Sequence, residues 1–127
     1  MQIKITSIYV DDQQKALRFY TDVLGFVLKH DVPAGEARWI TLVSPEGPAD
    51  IELLLEPLGF APARTYQQAL HAAGIPFTIL YTHDVEQEYQ RLNALGVVFV
   101  TPPTRADWGV YAVFDDTCGN LIMLQQG

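Results

Sequence analysis

The feature that most restricts what this chain can fold into is an internal repeat. Adding 72 to a residue number carries Tyr9 onto Tyr81 and Asp12 onto Asp84. Adding 71 carries Leu24 onto Leu95, Gly25 onto Gly96, Phe26 onto Val97, Leu42 onto Val113, Ile51 onto Ile122 and Leu53 onto Leu124. The step from 72 to 71 places a one-residue gap inside a helix. Character is kept more than identity. One module of this kind cannot bury its sheet face alone, so the pattern predicts two modules packed about a pseudo-twofold axis.

Each module reads βαβββ. In the first helical segment Ala16, Leu17, Tyr20, Val23 and Leu24 share a face, with Asp11 or Asp12 as cap and Gly25 as the left-handed end. The second runs from the cap Asp84, with Gln87 three residues on, through Val85, Glu88, Tyr89, Leu92 and Leu95 to Gly96. Strand-like runs are expected at 3–10, 26–30, 38–43 and 50–56, then at 77–82, 97–100, 110–114 and 120–125. The division is module one 1–56, linker 57–74 and module two 75–127, with a short helix over Thr65 to Ala73 in the linker. The fold class is α+β.

Composition narrows the function. The 127 residues suit one domain, and 49% apolar against 18% charged is globular. A net charge of −7 with only 8 scattered Lys and Arg opposes phosphate binding, so no nucleic-acid partner is expected. Lys29, Glu52, Glu56 and His83 interrupt the strongest apolar runs, which leaves no membrane span. The N-terminus reads as a strand, and the expected location is cytoplasmic. The single cysteine, Cys118, excludes an internal disulfide and a cysteine-rich zinc site, and its acidic neighbours oppose a nucleophilic thiolate.

The wording of the repeat resembles the vicinal oxygen chelate superfamily of glyoxalases, bleomycin-resistance proteins and extradiol dioxygenases. The resemblance rests on Ile8-Tyr9-Val10-Asp11-Asp12, on Lys15 to Tyr20 with Phe19-Tyr20 inside it, and on Val23-Leu24-Gly25-Phe26. It rests also on Phe114-Asp115-Asp116-Thr117-Cys118-Gly119-Asn120, which is similar to the family's Phe-x-Asp-Pro-x-Gly-Asn turn with Thr117 in place of proline. The resemblance implies a cupped mixed sheet built from both modules, and a homodimer. It also implies that a divalent metal, where present, is held at four positions, here Ile5, Glu52, Phe77 and Met123. Three of these offer no oxygen or imidazole donor, so the usual metal is expected to be absent and no cofactor is assigned. His30, His71 and His83 all fall at peripheral places.

Strand alternation places Ile5, Ser7, Tyr9 and Glu52 on the cup face of module one, and Phe77, Tyr81 and Met123 on that of module two. Such an apolar, aromatic lining suits a small organic ligand. Trp39 and Trp108, near strand starts, either stack on a flat ligand or bury themselves against a partner subunit. Glu52, if deep among Ile5, Phe77 and Met123, is expected to have a raised pKa. It would then serve as a ligand's hydrogen-bond partner or as a general base, or it is a remnant of the metal site. The leading expectation is metal-free binding of a small organic molecule. The alternative is a lyase, isomerase or dioxygenase that depends on a metal or on Glu52.

Overall fold

The computed structural model describes residues 1–127, Met1 to Gly127, and contains two compact units, Met1–Arg64 and Thr65–Gly127. The first unit holds β1 (Ile5–Val10), α1 (Gln13–Arg18), β2 (Val27–Ala34), β3 (Ala37–Val43) and β4 (Glu52–Pro57). Helix α2 (Ala61–Ala72) carries the chain from one unit into the other. The second unit then holds β5 (Thr78–Thr82), α3 (Val85–Ala94), β6 (Phe99–Ala106), β7 (Gly109–Asp115) and β8 (Leu121–Gln126). The two sheets have the same plan. The orders are β1-β4-β3-β2 and β5-β8-β7-β6, with the first pair of each parallel and the others antiparallel.

Both helices begin as the sequence predicts. Asp12 accepts a hydrogen bond from the Lys15 backbone N–H at 2.9 Å, and Asp84 accepts one from Gln87 at 3.0 Å. Each cap satisfies one of the amides that a helix start leaves open. Gly25, Gly74 and Gly96 end their helices at φ of 92°, 71° and 87°, a region open to glycine at no steric cost.

The one-residue gap has a structural home. After Arg18 the helix widens into a π-helical turn, Phe19–Val23, in which the Leu24 N–H donates to the Phe19 carbonyl five residues back. A π-turn accommodates an inserted residue without breaking the helix. The Thr21 hydroxyl donates to the Leu17 carbonyl at 2.6 Å, a side-chain bond within this turn. The gain is packing: Phe19 and Tyr20, although adjacent, are both buried. Tyr20 meets Phe19 edge-on and stacks on Phe26.

Alternation along the strands sorts the core as expected in most places. Ile8, Val10, Leu55 and, in the second unit, Ile122 and Leu124 are buried on the helix-facing sides. Each such side chain contributes about 1.5–3 kcal/mol relative to exposure. Gln13 fastens α1 to its sheet, donating to the Arg38 and Leu55 carbonyls and accepting from the Arg38 N–H. Several expectations fail, among them the end of β2, which runs to Ala34 rather than 30. Ile51 precedes β4 and Leu95 lies past the end of α3, and both are exposed because the regular element that would bury them has stopped. Strand β6 also runs to Ala106, well beyond the expected end at 100, with register shifts around Pro102 and Pro103.

Candidate functional site

In the first unit, one sheet face gathers a polar pole. Register pairs Ile5 with Glu52, and it aligns Ser7, Leu54, Thr41 and His30 in a row across four strands. Tyr9 pairs with Glu56, and Val32 with Trp39, which lies two residues from Thr41 and so shares its face. Glu52 keeps 14% of its side chain exposed. Its carboxylate lies 3.4 Å from Lys29 Nζ and 3.8 Å from His30 Nε2.

The local cause is a β-bulge. Consecutive strand residues normally point to opposite faces, yet Lys29 and His30 both approach Glu52. The ladder between β2 and β3 shifts register between Leu28 and His30, and Lys29 is the extra residue. Bulges re-aim side chains in this way. Lys29 is steadied from a second side, since Nζ also donates to the Ala49 carbonyl at 3.2 Å.

This arrangement reverses the expected ionisation of Glu52. Its carboxyl is held below the usual value, chiefly by the Thr41 hydroxyl and then by Lys29 and His30, against an opposing effect of desolvation. Thr41 is wholly buried, and its Oγ1 reaches no partner at full hydrogen-bond geometry. The hydroxyl leans on the carboxylate without closing a well-formed bond. Desolvation loses because the sheet supplies a hydroxyl and two basic side chains that the sequence reading had not placed there. A depressed carboxyl is an ionised hydrogen-bond acceptor and a weak general base.

The second unit carries an aromatic row. Tyr81, Gln125, Tyr111 and Thr104 align across its sheet, and the Trp108 ring stacks on Tyr111 with centroids 5.0 Å apart and planes 29° from parallel. Tyr81 is 64% exposed and Trp108 55%, while Trp39 in the first unit is 39% exposed. Exposed aromatic rings offer apolar area that a ligand could cover. Phe77 meets Tyr66 of α2 edge-on at 6.2 Å. The register differs from that of the first unit: Met123 pairs with Ile79, whereas Glu52 pairs with Ile5. Phe77 therefore lies two residues from Met123's direct partner.

The turn after β7 is a closed polar knot. Asp116, wholly buried, accepts from the Cys118 N–H, the Asn120 N–H and Asn120 Nδ2 at 2.7, 2.9 and 2.8 Å. Gln67 of α2 donates to the Cys118 carbonyl and to Asn120 Oδ1. Thr117 has φ of 63°, which a proline ring, fixed near −65°, cannot adopt. With the turn in this conformation, a proline could not stand at position 117. Cys118 is buried inside this knot.

A divalent metal finds little here. Ile5, Phe77 and Met123 supply no hard donor, and no three His, Cys, Asp or Glu side chains converge anywhere in the chain. Glu52 with His30 gives two candidate donors at most. Among the functional candidates, the structure brings together Ile5, Ser7, Tyr9, Trp39 and Glu52 on one sheet face, and Phe77, Tyr81, Trp108 and Met123 belong to the second unit. Lys29, His30, Thr41 and Tyr111 escaped the sequence reading. Thr41 and Tyr111 were open to it by strand parity, but the bulge that recruits Lys29 has no marker in the local sequence.

Comparison with known proteins follows the same lines. The family model described as Glyoxalase/Bleomycin resistance protein/Dioxygenase superfamily matches residues 2–124. The uncharacterized protein YurT of Bacillus subtilis (strain 168) is 51% identical over 126 residues, covering 99% of both chains. A crystal structure of UcmS2 superposes with a TM-score of 0.86 at 30% identity, covering 100% of this chain and 98% of the other. That of TnmS3, an antibiotic binding protein from Streptomyces sp. CB03234, gives 0.78 at 32% identity, covering 99% and 95%.

Proposed function

Because this chain belongs to the Glyoxalase/Bleomycin resistance protein/Dioxygenase superfamily, we propose that it binds a small organic molecule on its aromatic and apolar sheet faces, without the divalent metal. In the first unit the face is that of Ile5, Ser7, Tyr9, Trp39 and Glu52; in the second unit it is that of Phe77, Tyr81, Trp108 and Met123. The protein acts as a homodimer in the cytoplasm. The observation that carries the reading is the exposure of Trp39, Tyr81 and Trp108 in a chain in which three of the four aligned metal positions lack a hard donor. Similarity to an antibiotic binding protein supports it.

A small ligand with an apolar body gains by covering such rings, and a few polar groups then set its orientation. Glu52 fits the second role better than that of a base, because its neighbours hold it ionised. The reading in which Glu52 drives a lyase, isomerase or dioxygenase reaction has only that carboxylate behind it. The test is an NMR titration of labelled protein with a panel of flat, apolar ring compounds. Shifts that map to residues of these sheet faces and saturate are expected. A panel that moves no resonance there would overturn the reading.

A further inference from the structure

We propose that the polar pole of the first unit, Glu52 with Thr41, Lys29 and His30, is a recognition point for an uncharged hydroxyl carried on an apolar ring. The inference rests on the binding reading above and adds which ligand chemistry that face selects.

Selection follows from the groups present. An anionic ligand meets Glu52, with Glu56 on the same face and a net charge of −7 on the chain. A cationic ligand meets Lys29, whose ammonium already lies 3.4 Å from the carboxylate, with His30 at 3.8 Å. Neither charge is welcome. A neutral hydroxyl is both donor and acceptor, and the pole offers both complements. Its O–H donates a hydrogen bond to the ionised Glu52. Its lone pairs face the donors of the partly exposed Lys29, while the wholly buried Thr41 hydroxyl stays behind Glu52 and helps to hold it ionised.

Two features indicate that the pole is built for use. The Thr41 hydroxyl is wholly buried and set against Glu52, a placement that favours the ionised carboxylate as an acceptor. The β-bulge at Lys29 interrupts the ladder, and its effect is to turn two adjacent side chains onto one carboxylate. Trp39 lies on the same face two residues from Thr41, about 7 Å along the strand. That puts the Trp39 ring on the face that a flat ring anchored at Glu52 would cover.

The experiment compares 2-naphthol with 2-methylnaphthalene, which has the same shape but no hydroxyl, and with 2-naphthoate and 2-naphthylmethylammonium. Each is titrated by NMR into the wild-type chain and into Thr41→Val and Glu52→Gln variants. In the wild type, 2-naphthol is expected to bind roughly tenfold or more tightly than any of the other three. Either substitution should cut its advantage over 2-methylnaphthalene to about threefold or less and leave the hydrocarbon's affinity unchanged. Equal binding of naphthol and hydrocarbon by the wild type would overturn the pole and leave the binding reading standing. So would preference for either charged probe, or an advantage that survives both substitutions. Failure of all four probes to bind would overturn both.

Discussion

Replacing Gly119 by alanine tests how the turn after β7 is held. Gly119 has φ of 101°, and a Cβ built on it would lie 2.6 Å from Gln67 Oε1 and 2.7 Å from Gln67 Cδ. Backbone strain for a side chain in that region costs about 1–2 kcal/mol. Gln67 must also move, and it is only 3% exposed and donates to the Cys118 carbonyl and Asn120 Oδ1. Losing two such bonds costs about 1–3 kcal/mol more. The sum is about 2–5 kcal/mol. For a chain of 127 residues this corresponds to a fall in Tm of roughly 10–20 °C. Urea unfolding and scanning calorimetry measure it directly. In a Gln67→Ala background only the backbone cost remains, so Gly119→Ala should then cost about 1–2 kcal/mol. A cost below about 0.5 kcal/mol in the wild type, or equal costs in both backgrounds, would refute the contact.

Other consequences are more local. Thr117→Gly, which relieves a positive φ in a β-branched residue, should raise stability by about 1 kcal/mol, and Thr117→Pro should destabilise, both read from urea midpoints. Removing either helix cap, Asp12→Ala or Asp84→Ala, should cost about 1 kcal/mol in the same assay. Asp31, Asp50 and Glu52 all titrate below their ordinary values, Asp31 through Arg38, Asp50 through Lys4 and Glu52 through Thr41 and Lys29. Depressed carboxyl groups stabilise fully above the unfolded value near pH 4 and lose that stabilisation as pH falls through the lower native values. Stability should therefore fall from about pH 4 downward, and Asp31→Asn should reduce the fall; a flat profile from pH 5 to 3 would contradict the ion-pair assignments.

The repeat was legible because its signals are periodic and local. Asp12 and Asp84 cap, Gly25 and Gly96 terminate, and alternation in β1 and β4 assigns Ile8, Val10 and Leu55 to the core side. Even the one-residue gap was readable as an insertion, although its form as a π-turn was not. That turn depends on burying Phe19 and Tyr20 together, which is a tertiary demand. The site was harder to read. Burial of Glu52 suggested a raised pKa, and only cross-strand register reveals Thr41 and the bulged Lys29 that reverse it. His30, assigned to a peripheral strand end, lies 3.8 Å from that carboxylate for the same reason. Strand-to-strand register is a non-local property, so single-sequence periodicity cannot supply it.

The most direct measurement is the affinity of untagged protein for 2-naphthol, before and after exhaustive chelation, with bound metal quantified in both samples. Metal-free binding requires an unchanged dissociation constant and metal far below one equivalent throughout. Near-stoichiometric metal, together with an affinity that falls when the metal is stripped and returns when it is restored, would contradict the account.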